Sequence, residues 1–219
     1  MRWKLAIFDM DGTILDTLED LQASLNFALE QNGLPQRTLE EVRRFVGDGI
    51  RKLVERACPA GADETTRETV LQTMLGHYKQ HGTEHTRPYE GIHELLENLR
   101  KCGIRTAVVS NKTDFAVQDF SRVYFPGLFD FVTGERAEVR KKPAPDMVNR
   151  ALEALQIARD EAVYIGDSEV DFQTASNAQM ACVLVAWGFR GRAFLETLGP
   201  SCTVVDRPEE ILALLWDDC

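Results

Sequence analysis

The 219-residue chain reads as an α/β protein: a doubly wound, mostly parallel sheet interrupted after its first strand by an all-helical insert. Three observations point there. The apolar run Leu5-Ala6-Ile7-Phe8 stops abruptly at Asp9-Met10-Asp11-Gly12-Thr13, which is strand length followed by two carboxylates. From Asp16 to about His81, apolar residues recur at helical spacing with no strand-like run. Beyond Ile92, short apolar runs alternate with helical patterns, as in the crossover units of a parallel sheet.

The elements follow in order. Residues 4–8 form the first strand, and Gly12 lets the chain turn away tightly. Leu18, Leu21, Leu25 and Leu29 mark a first helix with Asp16 as its expected cap and Gly33 as its stop. Thr38-Leu39-Glu40-Glu41 has the form of a capping box opening a second helix. Gly47 and Gly49 frame a turn, and Ile50, Leu53 and Val54 begin a third helix. A fourth covers roughly Asp63 to His81, and Arg87-Pro88-Tyr89-Glu90-Gly91 closes the block. Helices are then expected over 92–101, from about Thr113, over 145–155 and over 209–216. Strands are expected over 105–110, around Phe131-Val132, over 162–165, over 183–185 and over 203–205. The first strand belongs to the same Rossmann-like core, so the expected domains are 1–15 with 88–219, and 16–87.

Composition narrows the function classes. Hydrophobic residues at 44% and charged residues at 27% describe an ordinary globular chain. A net charge of -10 argues against a general binder of nucleic acid or of anionic membranes. Five cysteines without a CxxC pair read as reduced thiols. With no run approaching a membrane span and no signal-peptide pattern, the expectation is a cytoplasmic protein, monomer or homodimer.

The chemistry collects at strand ends. Asp9 and Asp11 follow the first strand, Ser110-Asn111-Lys112 follows the second, and Gly166-Asp167-Ser168-Glu169-Val170-Asp171 follows a third. Arg140-Lys141-Lys142-Pro143-Ala144-Pro145 adds a cationic loop stiffened by prolines. Taken singly, Ser110-Asn111 reads as a helix cap, the cationic run as a solvated loop, and the acidic turn as a capped helix start. Taken together, they converge in a parallel sheet, whose strand ends share one edge where ligands bind. That gathers Asp9, Asp11, Ser110, Asp167 and Asp171 into one crevice with Lys142 nearby. Carboxylates about 4 Å apart repel by roughly 4 kcal/mol at an effective dielectric of about 20, so such a crevice needs cations. Hard oxygen donors without His or Cys select Mg²⁺. Metal, lysine and hydroxyl together are the equipment for holding a phosphoryl group.

The four motifs DMDGT, VVSN, the KKPAP lysine and GDSEVD, in that order, resemble those of the haloacid dehalogenase superfamily of phosphatases. The similarity spans essentially the whole chain, and the helical insert is similar to that superfamily's cap domain. The resemblance implies Asp9 as the nucleophile that forms an aspartyl-phosphate. It implies Asp11 as the acid that protonates the leaving oxygen and the base that then activates water. Ser110 and Asn111 would bind the phosphoryl oxygens, and Lys142 would offset charge. Mg²⁺ would sit on Asp9, the Asp11 backbone carbonyl and Asp167, with Asp171 ligating or supporting the ligands and Glu169 the other candidate. Asp11 sets the chain apart from dehalogenases, because halide leaves without a proton.

Two further stretches, Phe45-Val46-Gly47-Asp48-Gly49-Ile50 and Ala186-Trp187-Gly188-Phe189-Arg190, are similar to phosphoglycolate phosphatases. They make Gly47, Asp48, Gly49, Arg51 and Arg190 candidate specificity residues, an arginine being suited to a substrate carboxylate. The expected function is Mg²⁺-dependent hydrolysis of a small phosphorylated metabolite, with phosphoglycolate leading. Alternatives are an inorganic pyrophosphatase, a sugar-phosphate phosphatase or nucleotidase, a β-phosphoglucomutase-like phosphomutase, and a non-catalytic phosphate-binding module. Lys52 alone gives little support to phosphonate chemistry. His77, His81 and His85 read as ordinary polar surface rather than a second metal site, since Gly82 interrupts the helix between the last two.

Overall fold

The computed structural model describes residues 3–199 and 202–216. The chain divides into two compact units, Leu15–Arg87 and Met1–Ile14 with Pro88–Cys219.

The larger unit is built on a six-stranded sheet. Its strands are β1 (Leu5–Phe8), β4 (Arg105–Thr113), β5 (Phe131–Glu135), β6 (Ala162–Gly166), β7 (Ala181–Val185) and β8 (Cys202–Val205), with the two-residue β2 (Leu15–Asp16) and β3 (Arg87–Pro88) paired separately. The order across the sheet is β5-β4-β1-β6-β7-β8, and every pairing is parallel. β1, β6 and β7 are short apolar runs, which is what burial on both faces demands. Leu5, Ile7, Ala107, Val109, Ala162, Tyr164 and Leu184 lie in one core cluster with Met147, Val148 and Ala151 of α7 (Asp146–Leu155) and Ala175 of α8 (Glu169–Asn177). Ala6, Phe8, Val108, Val163 and Ile165 alternate with them along the strands and are also buried. The remaining helices of this unit are α5 (Ile92–Lys101), α6 (Asp114–Tyr124), the one-turn α9 (Arg192–Leu195) and α10 (Pro208–Trp216).

The strand order matters for function. The chain first winds from β1 outward through β4 and β5, then returns to place β6, β7 and β8 on the other side. The switch falls beside β1, and crevices at such points lie beyond the carboxyl ends of the strands. Asp9 and Asp167 are the residues that immediately follow β1 and β6.

The smaller unit holds α1 (Leu18–Gln31), α2 (Leu39–Phe45), α3 (Ile50–Ala57) and α4 (Glu64–His81). Thr38 and Glu41 form the expected capping box, and Asp63 Oδ1 caps α4 by accepting from Thr66 N at 2.7 Å. One expected cap does not form. Asp16 lies in β2, where it accepts from Arg87, and Thr17 takes the N-cap position of α1. A buried carboxylate supplies the tie instead. Asp20, on α1, accepts from His85 N, Thr86 N and Thr86 Oγ1, so the segment leading into β3 is anchored to the first helix. His77 stacks between Phe27 and His81 with ring centroids 4.3 Å apart in both pairs, and α4 ends at His81, before His85. Among the described residues, no helix is long and apolar enough to cross a membrane.

Candidate active site

The site is assembled from the ends of β1, β4 and β6 and the loop before α7. Asp9 N donates to Ile165 O at 2.9 Å, extending the β1–β6 pairing by one residue and holding Asp9 at the sheet edge. Its Oδ1 accepts from Met10 N at 2.7 Å and lies 2.9 Å from Lys142 Nζ. Lys142 is the buried member of the cationic run, at 2% exposure. Arg140 instead points outward and pairs with both oxygens of Asp146 through its Nε and Nη2. Lys142 Nζ also meets Asp171 Oδ1 at 2.8 Å and the Tyr164 hydroxyl at 3.2 Å.

Asp171 is completely buried and fully engaged. Its Oδ1 takes Lys142 and the Tyr164 hydroxyl, while Oδ2 accepts from Asp167 N, Ser168 N and Ser168 Oγ. Ser168 in turn caps α8 in a reciprocal capping box with Asp171. The capped helix start read for this turn is therefore real, and the same contacts brace the acidic cluster. Asp167 is oriented by Thr13 Oγ1 on its Oδ1 at 3.2 Å and by Phe189 N on its Oδ2 at 2.7 Å. Glu169 turns away, with both its oxygens on the Arg190 guanidinium at 2.8 and 3.0 Å.

Oxygens of Asp9, Asp167 and Asp171 lie within 4.8 Å of one another, the one such group of metal-binding side chains among the described residues. The electrostatics describe an anionic cluster short of positive charge. Burial pushes Asp9 up to about 6, with Lys142 opposing and the Asp171 and Asp11 charges adding. Burial likewise raises Asp167 well above the usual carboxylate range, reinforced by Asp171 and Asp9. Burial works against the Lys142 charge, but Asp171 and Asp9 outweigh it and hold its pKa above the ordinary lysine value. Three hard carboxylates against one ammonium, two of them reluctant to ionise, fit a divalent cation of the Mg²⁺ class.

Ser110 is not a helix cap. The strand β4 runs on to Thr113, which takes the N-cap position of α6, and Ser110 and Asn111 are buried at 2% and 4% exposure. Asn111 Nδ2 donates to Lys142 O at 3.1 Å, joining β4 to the lysine loop. Asp11 meets a residue to which the motif reading gave no role. Lys112 Nζ lies 3.0 and 3.1 Å from its two carboxylate oxygens. Tyr164, beneath Lys142, and the Phe189 amide were likewise unassigned. Gly47, Asp48, Gly49 and Arg51 lie in the Leu15–Arg87 unit, where Asp48 pairs with Arg56 and Arg51 with Glu68.

Residues 6–185 match the family model described as haloacid dehalogenase-like hydrolase. The chain belongs to that family. A phosphoglycolate phosphatase of Caulobacter vibrioides is 33% identical over 95% of this chain and 90% of its own. An N-acetylmuramic acid 6-phosphate phosphatase of Pseudomonas aeruginosa is 31% identical over 98% and 96%. A solved structure from Lactobacillus delbrueckii subsp. bulgaricus, provisionally assigned as a phosphoglycolate phosphatase, is 40% identical, with a TM-score of 0.93 over 98% of this chain and 99% of that one.

Two glycines of this haloacid dehalogenase-like hydrolase exist for close approach. Gly12 has φ +84, and a Cβ there would run into the Asp167 carboxylate. A Cβ on Gly188 would lie 2.5 Å from both the Gly12 carbonyl oxygen and Asp167 Oδ2. Gly188→Ala is therefore expected to lower stability by about 1–3 kcal/mol through overpacking. Because Asp167 must shift, any rise in melting temperature that Mg²⁺ produces should be smaller than in wild type. Thermal melts with Mg²⁺ and with EDTA check both; an unchanged Mg²⁺ response would mean that Gly188 does not constrain Asp167.

Proposed function

We propose that this phosphatase hydrolyses a small phosphate monoester in a Mg²⁺-dependent reaction through a phosphorylated Asp9. The observation that carries the reading is the buried cluster of three carboxylates and one lysine at the switch point of the sheet. Asp9, Asp167 and the Asp11 carbonyl would hold the metal, with Asp171 spent on bracing Lys142 and the Asp167 and Ser168 amides. When bound, Mg²⁺ supplies charge neutralisation for the phosphate and the attacking carboxylate.

The residues divide the remaining work. Lys142 and Met10 N occupy Asp9 Oδ1, which leaves the other oxygen to attack phosphorus. As the bond from phosphorus to the leaving oxygen breaks, protonated Asp11 gives that oxygen its proton and releases the alcohol. The resulting Asp11 carboxylate takes a proton from water, whose oxygen attacks phosphorus. The bond from phosphorus to Asp9 breaks, inorganic phosphate leaves, and Asp9 is restored. Ser110 and Asn111 bind phosphoryl oxygens at the end of β4, and Lys142 balances their charge.

The named relatives support the choice of substrate class. Phosphoglycolate and N-acetylmuramic acid 6-phosphate are both phosphate esters that carry a carboxylate. The leading substrate is phosphoglycolate, with a phosphosugar acid as the second reading. Arg51 and Arg190, the candidate carboxylate partners, already hold Glu68 and Glu169, so either would have to exchange an acidic partner for the substrate. The helical unit is proposed as the cap that selects substrate through Gly47, Asp48 and Gly49.

Phosphate release across phosphoglycolate, N-acetylmuramic acid 6-phosphate, hexose phosphates, nucleotides and pyrophosphate tests this. Phosphoglycolate well ahead of the rest is the expected result. Even turnover across the panel would defeat the substrate assignment. Isomerised sugar phosphate without free phosphate would select a mutase.

A further inference from the structure

Asp11 is joined to Lys112 across 101 residues of sequence, and the two partners differ in freedom. Lys112 has a side chain 1% exposed, whereas that of Asp11 is 21% exposed. Lys112 sits at the end of β4, its N–H donates to Ser110 Oγ at 3.4 Å, and its Nζ lies 4.7 Å from the centroid of the Phe120 ring on α6. The ammonium is thus fixed by the strand beneath it and by a cation–π contact. Asp11 lies on the loop leaving β1. Nζ is placed almost equally between its two oxygens, at 3.0 and 3.1 Å, so it fixes the plane of the carboxyl group.

We propose that Lys112 is a positioning residue for Asp11, fixing the orientation from which its carboxyl group delivers a proton to the leaving oxygen. The inference rests on the reading of Asp11 as the general acid. One carboxyl oxygen stays on Lys112 while the other carries the proton outward. Without the lysine the carboxyl rotates freely on its loop, and a proton donor that is misaligned by about an ångström loses on the order of 100-fold in rate.

Leaving-group dependence separates this role from simple structural support. An alkyl ester needs its leaving oxygen protonated, while the stable nitrophenolate released from 4-nitrophenyl phosphate does not. Lys112→Met and Lys112→Gln should cut the single-turnover rate of alcohol release from phosphoglycolate, or from the fastest alkyl ester in the panel, about 30- to 100-fold. The same variants should keep the single-turnover rate of nitrophenolate release from 4-nitrophenyl phosphate within about threefold of wild type, because that release precedes the hydrolysis step in which Asp11 acts as base. Both rates are measured on one preparation, so their ratio is unaffected by any loss of folded protein. Asp11→Asn provides the reference and should show the same selectivity, more strongly. Equal losses on both substrates, or none, in the Lys112 variants would overturn the positioning role while a selective Asp11→Asn leaves the acid assignment standing. A non-selective Asp11→Asn would overturn the acid assignment and the positioning role with it.

Discussion

Lys142→Met is expected to destabilise the metal-free protein by about 3–5 kcal/mol near pH 7.5 and to cut phosphate release about a thousandfold. The side chain keeps its volume, so the effect is one of charge. Lys142 lies against both Asp9 and Asp171, and its removal leaves buried carboxylates facing one another without their cation. Breaking a buried pair by deleting one partner costs far more than such a pair contributes relative to an apolar replacement of both. The pH dependence has a definite sign. Asp9 is raised to about 6 in the wild type with Lys142 opposing the rise, so in the variant it takes up a proton at a still higher pH as pH falls, and the uncompensated charge diminishes. The deficit should therefore narrow at about pH 5. Lys142 itself, held above the ordinary lysine value, remains charged throughout this range in the wild type. Urea denaturation of both proteins in EDTA at the two pH values reads the difference. A deficit that does not change with pH would contradict the electrostatic account.

Asp9→Asn is expected to have the opposite effect on stability. A carboxylate whose native pKa is about 6 rather than 3.8 stays ionised near neutral pH at a cost of about 3 kcal/mol. Asn removes the charge and can still accept from Lys142 and Met10 N. In EDTA near pH 7.5 the variant should therefore be more stable than wild type by up to about 3 kcal/mol. A raised carboxyl pKa favours the native state at low pH, and that advantage is lost as pH rises through about 6. The gain of the variant should accordingly fade toward zero as pH falls to about 4, where wild-type Asp9 is neutral as well. Added Mg²⁺ should reverse the ranking, because ligand binding stabilises the native state by about 2.7 kcal/mol at a hundred times the dissociation constant, and Asn is the poorer ligand. Destabilisation by Asp9→Asn in EDTA would mean that the cluster is not short of positive charge.

Much of this site was legible in the chain. Short apolar runs ending in Asp9, Ser110 and Asp167 were enough to identify the strands, because a parallel strand buried on both faces has little room for polar residues until it reaches its end. The lateral order β5-β4-β1-β6-β7-β8 carries no periodic signature, so the convergence of those ends rested on a general rule about parallel sheets. Lys112 went unassigned because it stands directly after the Ser110-Asn111 motif, beyond the expected end of the strand at 110. A signal was present nonetheless. In a strand, two residues on is the same face, and β4 continues past Ser110. Tyr164 reads as ordinary core from its apolar neighbours, and only the fold brings its hydroxyl to Lys142 and Asp171. Asp16 has the composition and place of a helix cap, but a strand pairing outcompetes it. Glu169 and Asp171 are indistinguishable by spacing, and α8 separates them by sending one to Arg190 and the other into the core.

The most direct test is phosphate release from phosphoglycolate by wild type and Asp9→Asn, each in Mg²⁺ and in EDTA. Turnover by wild type in Mg²⁺ alone, with Asp9→Asn lower by at least about four orders of magnitude while remaining folded, is the expected result. Comparable release by Asp9→Asn, or release by wild type that is indifferent to EDTA, would contradict a metal-assisted reaction at Asp9.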